Sequence, residues 1–156
     1  MNKVEHTIQE CEEHLRLTNS FGTEIEAYLT RYLLVLISAS FEESLETAFI
    51  ERAKKANDDY VIQYFKNEMP QKLKSVGISK LSEFIRKFGV SLKEKFDNDI
   101  NSGMAREVTA YGNLIKNRHL VAHETQEPSM TFHDVKDAYI ESVKIINKIK
   151  EILEQS

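Results

Sequence analysis

The feature that most constrains the fold is a run of 33 residues, from Thr23 to Lys55, that contains no Gly or Pro. Its apolar residues keep a helical period, and Thr23-Glu24-Ile25-Glu26 has the Ser/Thr-x-x-Glu form of a capping box at its start. We therefore predict one long central helix. The whole chain of 156 residues has only 5 Gly and 2 Pro, too few turn residues for an all-β sandwich.

The remaining periodic segments predict further helices and no strand. We expect an all-α bundle of five to seven helices in a single domain over residues 1–156. The predicted helices run from Val4 to Leu17, from Asp58 to near Pro70, from Ser79 to Gly89, from Ser91 to Phe96, from about Met104 to Ala122 and from Thr131 onwards. The acidic residues from Asp97 to Asn101 are spaced as in a calcium loop. We reject a calcium site, because the Gly and Glu that such a loop requires are not at the required positions.

Cysteine content and hydropathy indicate where the protein works. A single cysteine, Cys11, cannot form an internal disulfide, which favours the cytoplasm. The first residues lack the apolar run of a signal peptide. The longest apolar stretch, Tyr32 to Phe41, is ten residues long, against the roughly 20 that span a bilayer. We expect a cytoplasmic protein with no membrane span.

The charge is unevenly distributed along the chain. The net charge is −4, yet residues 61–123 carry 11 Lys and Arg against 6 Asp and Glu. This basic middle segment is either a local anion-binding face or uneven surface composition.

One short segment near the end of the fifth or sixth helix departs from ordinary amphipathic patterning. At 100° per residue, Met104, Val108, Tyr111, Ile115 and Ala122 fall on one buried stripe. Arg118 and His119 lie on or beside that stripe, where a cation costs free energy unless it is paired or bound to a ligand. His123 borders the same face.

The segment Arg118-His119-Leu120-Val121-Ala122-His123 resembles the Arg-x4-His signature of the HEPN superfamily, including the polar residue directly after Arg. The setting is similar too: a long second helix, a motif helix, a short loop and a terminal helix. Within this superfamily, the chain resembles the RiboL-PSP-associated HEPN branch. The resemblance implies a HEPN-like bundle with metal-independent endoribonuclease activity of toxin or defence type. It also implies a homodimer in which two motifs converge in one cleft.

The resemblance gives the motif residues chemical roles. His123 would accept the proton of the ribose 2′-hydroxyl, and Arg118 would hold the scissile phosphate and stabilise its charge. His119 would orient Arg118 or assist protonation of the leaving group, with Asn117 and Lys116 as weaker substrate contacts. The products would be a 2′,3′-cyclic phosphate and a 5′-hydroxyl, formed without a metal or other cofactor.

A geometric difficulty accompanies this interpretation. Arg118 and His123 diverge by about 140° on one straight helix, so a cleft between two subunits, or local unwinding before His123, is needed to bring them together. Glu42 and Glu43 on the long helix either face the motif helix or are solvated helix charges.

Other interpretations of these residues stay open. His119 and His123 have the i, i+4 spacing of a metal pair, but no third ligand is evident and the Glu of metalloprotease motifs is missing. Arg118 could instead form a partly buried ion pair, with both histidines favoured by the helix macrodipole. The alternative function is therefore a non-catalytic HEPN-like module that binds a partner protein, a nucleotide or RNA. An antitoxin or regulatory protein is an expected partner of either form.

Overall fold

The computed structural model of the protein describes residues 3–122 and 128–155. Seven α-helices and no strand occur in these ranges, which confirms the all-α prediction. The helices are α1 (Lys3–Leu17), α2 (Glu24–Lys54), α3 (Asp59–Lys72), α4 (Ile78–Arg86), α5 (Val90–Gly103), α6 (Ala105–Ala122) and α7 (Phe132–Glu154).

The core is built around α2, α6 and α7. The Phe41 ring of α2 stacks near Tyr111 of α6 and Tyr139 of α7, with ring centroids 6.2 and 5.9 Å away. Helices α2 and α7 run in the same direction, since Phe132 contacts the start of α2 and Lys55 donates to the Glu154 carbonyl at the other end. The central position of the long helix follows from this packing.

Two helices extend further than the sequence predicted. α3 continues through Pro70 to Lys72, although a proline normally ends a helix by removing a backbone donor. Met69 and Leu73 are both buried, and the Leu73 amide donates to the Met69 carbonyl at 3.0 Å. Burial on both sides of Pro70 therefore offsets the missing hydrogen bond.

The helix predicted from Ser91 to Phe96 is in fact the 14-residue α5. Phe96 and Ile100, four residues apart, are both buried, and Lys93 is paired with Asp97 one turn away. These contacts carry the helix through the acidic segment that resembled a calcium loop.

The predicted capping box at the start of α2 is only partly formed. Thr23 is the N-cap and accepts from the Ile25 amide, but Glu26 does not complete the box. Its carboxylate accepts from the amides of Gly22 and Phe132 instead, at 2.6 and 3.0 Å. Glu26 thereby ties the starts of α2 and α7 together.

The complete capping box lies at the start of α7. The Thr131 hydroxyl accepts from the Asp134 amide, and the Asp134 carboxylate accepts from the Thr131 amide. This arrangement confirms the predicted start of the last helix. Among the described residues, no helix is long and apolar enough to cross a membrane.

Candidate active site

Arg118 to Ala122 occupy the last turns of α6, which packs against both α2 and α7. Because two helices cover it, its buried face is centred on Tyr111, Leu114 and Ile115. Ala122, predicted in the buried stripe, is exposed, and Leu114, which the wheel omitted, is buried.

Asn117 is buried on the α7 side of the motif helix. Its amide nitrogen donates to the Asn113 carbonyl at 2.9 Å. Its amide oxygen accepts from the Ser129 backbone amide at 2.8 Å and from the Ser129 hydroxyl at 3.2 Å. Asn117 therefore fixes the chain that leads into α7, and direct contact with a phosphate stays a prediction.

Arg118 lies next to Asn117 but in a very different environment. The residue is partly buried, and its Nε atom is fully buried with no hydrogen-bond partner in the described part of the chain. No ion pair of Arg118 occurs within residues 3–122 and 128–155. A buried donor without an acceptor costs free energy that a bound anion would recover.

His119 faces the short linker between α3 and α4. Its Nε2 lies 3.2 Å from the Ser75 carbonyl oxygen, and the residue as a whole is exposed. Ser75 is itself buried and adopts a left-handed backbone conformation with φ of 47°. The contact anchors the motif helix to this linker.

Glu42 of α2 is hydrogen-bonded to the same linker. One of its carboxylate oxygens accepts from the Ser75 amide at 2.8 Å and lies 3.3 Å from the Ser75 hydroxyl. Of the two carboxylates singled out in the sequence, Glu42 thus reaches the motif helix through Ser75. Glu43 is exposed.

A second hydrogen bond from α6 fixes the next residue of the linker. The buried Tyr111 hydroxyl donates to the Val76 carbonyl at 2.8 Å. Burial, reinforced by the nearby Glu42 carboxylate, raises the pKa of the Tyr111 phenol far above its ordinary range. Tyr111 therefore donates as a neutral phenol at ordinary pH, and the linker has hydrogen-bond partners on α2 and α6.

Lys116 is exposed and lines an open groove of about 690 Å³ between α6 and α7. Arg106 and Lys116 lie on the α6 wall, whereas Asp134, Asp137 and Glu141 lie on the α7 wall. Glu141 is paired with Arg106 and Lys144, and the hydrogen bond from Lys144 lowers its pKa. The groove therefore has one basic and one acidic wall.

His123, the predicted proton acceptor, lies outside the described residues. In the described part of the chain, His119 contacts Ser75, which is hydrogen-bonded to Glu42, whereas no hydrogen bond or ion pair there joins Arg118 to these three residues. In residues 3–122 and 128–155, no group of three or more His, Cys, Asp or Glu is placed to hold a metal ion.

The model of the RiboL-PSP-HEPN family matches residues 2–155. The chain belongs to this family. No curated protein and no solved structure matches it. The match confirms the suspected HEPN branch, and the HEPN bundle agrees with the helix order found here.

The sequence did not identify Ser75 as part of the site of this HEPN domain. Ser75 lies in a short segment with no motif, and the packing of α3 and α6 against α2 brings it to His119. The left-handed φ of 47° occurs at a residue that is not Gly, so even the usual glycine signal for such a turn is absent.

Proposed function

We propose that this HEPN domain is a metal-independent endoribonuclease. The observation that supports this best is Arg118, whose buried Nε has no acceptor among the described residues and which is followed in the chain by the exposed His119. A phosphate diester supplies the acceptor oxygens that a guanidinium binds in a bidentate manner. Retention of Arg and His at the family motif is consistent with catalysis rather than scaffolding.

The proposed reaction is an internal transfer of the phosphoryl group. His123 removes the proton of the ribose 2′-hydroxyl, and the 2′-oxygen forms a bond to phosphorus. The bond from phosphorus to the 5′-oxygen of the next nucleotide breaks, and that oxygen takes up a proton. Arg118 stabilises the negative charge that develops on the phosphate. The products are a 2′,3′-cyclic phosphate and a 5′-hydroxyl.

The partner that completes the site is a second copy of the chain. α2 leaves four large apolar side chains exposed at heptad spacing, on the side turned away from its core face: Ile25, Tyr28, Tyr32 and Val35. A helix that is apolar on both faces is normally covered on both. The same column of α2 continues one heptad beyond Val35 to Glu42, which contacts the Ser75 linker beside the motif helix. Pairing along this surface would bring two motifs towards one cleft.

The test begins with cleavage in the absence of metal. Purified protein is incubated with structured RNAs and a tRNA pool in excess EDTA, beside His123→Ala, and the new ends are mapped chemically. We expect cleavage that survives chelation, disappears in the variant and leaves cyclic-phosphate ends. Cleavage that requires a metal, or that persists in His123→Ala, would contradict the proposal.

A mixing experiment tests the composite site. Arg118→Ala and His123→Ala are each expected to be inactive dimers. Mixed subunits should regain cleavage, because a heterodimer pairs the intact Arg118 of one copy with the intact His123 of the other. No recovery after confirmed subunit exchange would show that the two residues act within one subunit.

The exposed apolar stripe of α2 also provides a test between the endoribonuclease and the alternative, a non-catalytic binding module. Tyr32→Lys places a charge in the exposed stripe and should yield a monomer by light scattering, with cleavage lost. A wild-type protein that is a monomer and cleaves none of these RNAs would favour the binding module, with the same stripe facing a regulatory protein.

A further inference from the structure

The contacts from Glu42 through Ser75 to His119 determine which nitrogen of the imidazole is free. A backbone carbonyl oxygen carries no proton, so it can only accept a hydrogen bond. The Nε2 atom at 3.2 Å from the Ser75 carbonyl must therefore carry the proton. In the neutral ring, this leaves Nδ1 with the lone pair.

Resting on the function proposed above, we propose that Glu42 and Ser75 are positioning residues that fix His119 in the Nε2–H tautomer. Nδ1 is then the atom that exchanges a proton with RNA held at Arg118. When His119 is protonated, Nδ1–H donates its proton to the departing 5′-oxygen as the P–O bond breaks. The ring returns to the neutral Nε2–H form, and the bond to Ser75 persists in both states.

The linker is held firmly enough to set the direction of that carbonyl. Residues with positive φ other than Gly are uncommon and persist where their surroundings hold them. At Ser75 the Glu42 carboxylate binds both the amide and the hydroxyl, while Tyr111 fixes the Val76 carbonyl. Ser75 and Val76 are both buried. The peptide that accepts from His119 is thus fixed from α2 and from α6.

Glu42 and Glu43 provide a matched pair of positions for testing how His119 is held in one tautomer. Both are carboxylates at adjacent positions of α2, but only Glu42 is bonded to Ser75. Glu42→Ala should release the linker, whereas Glu42→Gln keeps an oxygen that accepts from the Ser75 amide. Ser75→Gly retains the backbone groups and favours positive φ, so it should retain the tautomer; if Glu42→Ala folds poorly, the wild-type signals alone decide the tautomer.

The direct test is nitrogen NMR of the protein labelled at its histidines, with His119 assigned from His119→Gln. We expect the neutral ring of the wild type, of Glu43→Ala and of Ser75→Gly to show a protonated Nε2 and an unprotonated Nδ1. Glu42→Ala should shift the two signals towards averaged values, and Glu42→Gln should restore them in part. A protonated Nδ1 in the wild type, or unchanged signals in Glu42→Ala, would overturn the proposal.

Cleavage kinetics give the second readout. Glu42→Ala should lower kcat by roughly 10²-fold, the scale expected when a catalytic group is misplaced by about 1 Å, with KM little changed because Arg118 remains. Glu43→Ala should match the wild type. Equal loss in both variants would overturn the positioning role. If the wild type cleaves no RNA, the proposed function fails, while the NMR result still decides the tautomer.

Discussion

Asn117 and Arg118 are consecutive residues of α6, but the hydrogen bonding of their side chains differs. The Asn117 side chain is buried and has partners for both its oxygen and its nitrogen. The Arg118 Nε is buried without an acceptor among the described residues. A satisfied buried polar group costs the fold little, whereas a buried donor without an acceptor costs free energy. Under the proposed function, the α7 side of the motif helix is structural and the buried donor of Arg118 is available for a ligand.

The largest expected effect comes from removing the guanidinium. Arg118→Leu should lower the cleavage rate by about 10²- to 10³-fold, the usual loss when one group that stabilises developing charge is removed. It should not lower the free energy of unfolding, because an unsatisfied buried donor is replaced by an apolar side chain. Cleavage assays and urea unfolding of the same preparations measure both quantities.

Arg106→Leu is the matched control, since Arg106 lies on the same helix, is largely exposed and is paired with Glu141. It should keep its cleavage activity. A large loss of stability in Arg118→Leu would show that Arg118 is structural and would remove the contrast with Asn117.

The next effect is on stability and comes from the other side of the helix. Asn117→Ala leaves the Ser129 amide without its acceptor, which should cost about 1–3 kcal/mol of unfolding free energy. Asn113→Ala should cost much less, because Asn113 is exposed and contributes only its backbone carbonyl. Equal urea midpoints for the two variants would contradict the structural role of Asn117.

The helix order and the buried stripes could be predicted from sequence because they depend on local periodicity. The long α2 and the cap of α7 are predicted in this way, whereas the motif at Arg118 is identified by its resemblance to the HEPN signature. Positions that depend on packing were not. Ala122 fits an ideal stripe, yet α6 lies between two helices and turns Leu114 inward instead.

The site was predictable only where a motif marks it. Arg118 and His119 carry the motif, whereas Ser75 is brought to His119 by tertiary contacts over 44 positions of sequence. Glu26, at the start of α2, is a second residue whose contact depends on tertiary packing. Its spacing from Thr23 predicts a local cap, but the carboxylate binds Phe132, which is 106 positions away.

A smaller effect on stability is expected at the N-terminal cap of α7. Hydrogen bonds from Thr131, first from its backbone amide, lower the pKa of Asp134 below its ordinary value of 3.8. A lowered folded-state pKa adds stability above the ordinary pKa and loses it as the pH falls through the folded value. Thr131→Ala, which removes a capping hydroxyl, should cost about 1 kcal/mol near neutral pH.

Asp134→Asn should also be less stable than the wild type at pH 7, with the difference shrinking below about pH 4. Thermal or urea unfolding across pH 2.5 to 7 measures this. A difference that stays constant down to the lowest pH would show that the carboxylate charge does not stabilise the α7 cap.

The smallest expected effect concerns Lys116, the residue on the other side of Asn117. It is exposed, so it adds to the electrostatic attraction of RNA without paying for burial. Each phosphate contact by a lysine releases counterions, so Lys116→Ala should weaken RNA binding a few-fold and reduce the slope of log affinity against log salt by about 1. Lys54→Ala is the control, because Lys54 is paired with Glu51 near the far end of α2. Titrations of the inactive His123→Ala protein at several salt concentrations separate binding from cleavage.

If both lysine variants lower the slope equally, RNA is attracted by overall charge, and the basic segment around the motif gives it no preferred path to Arg118.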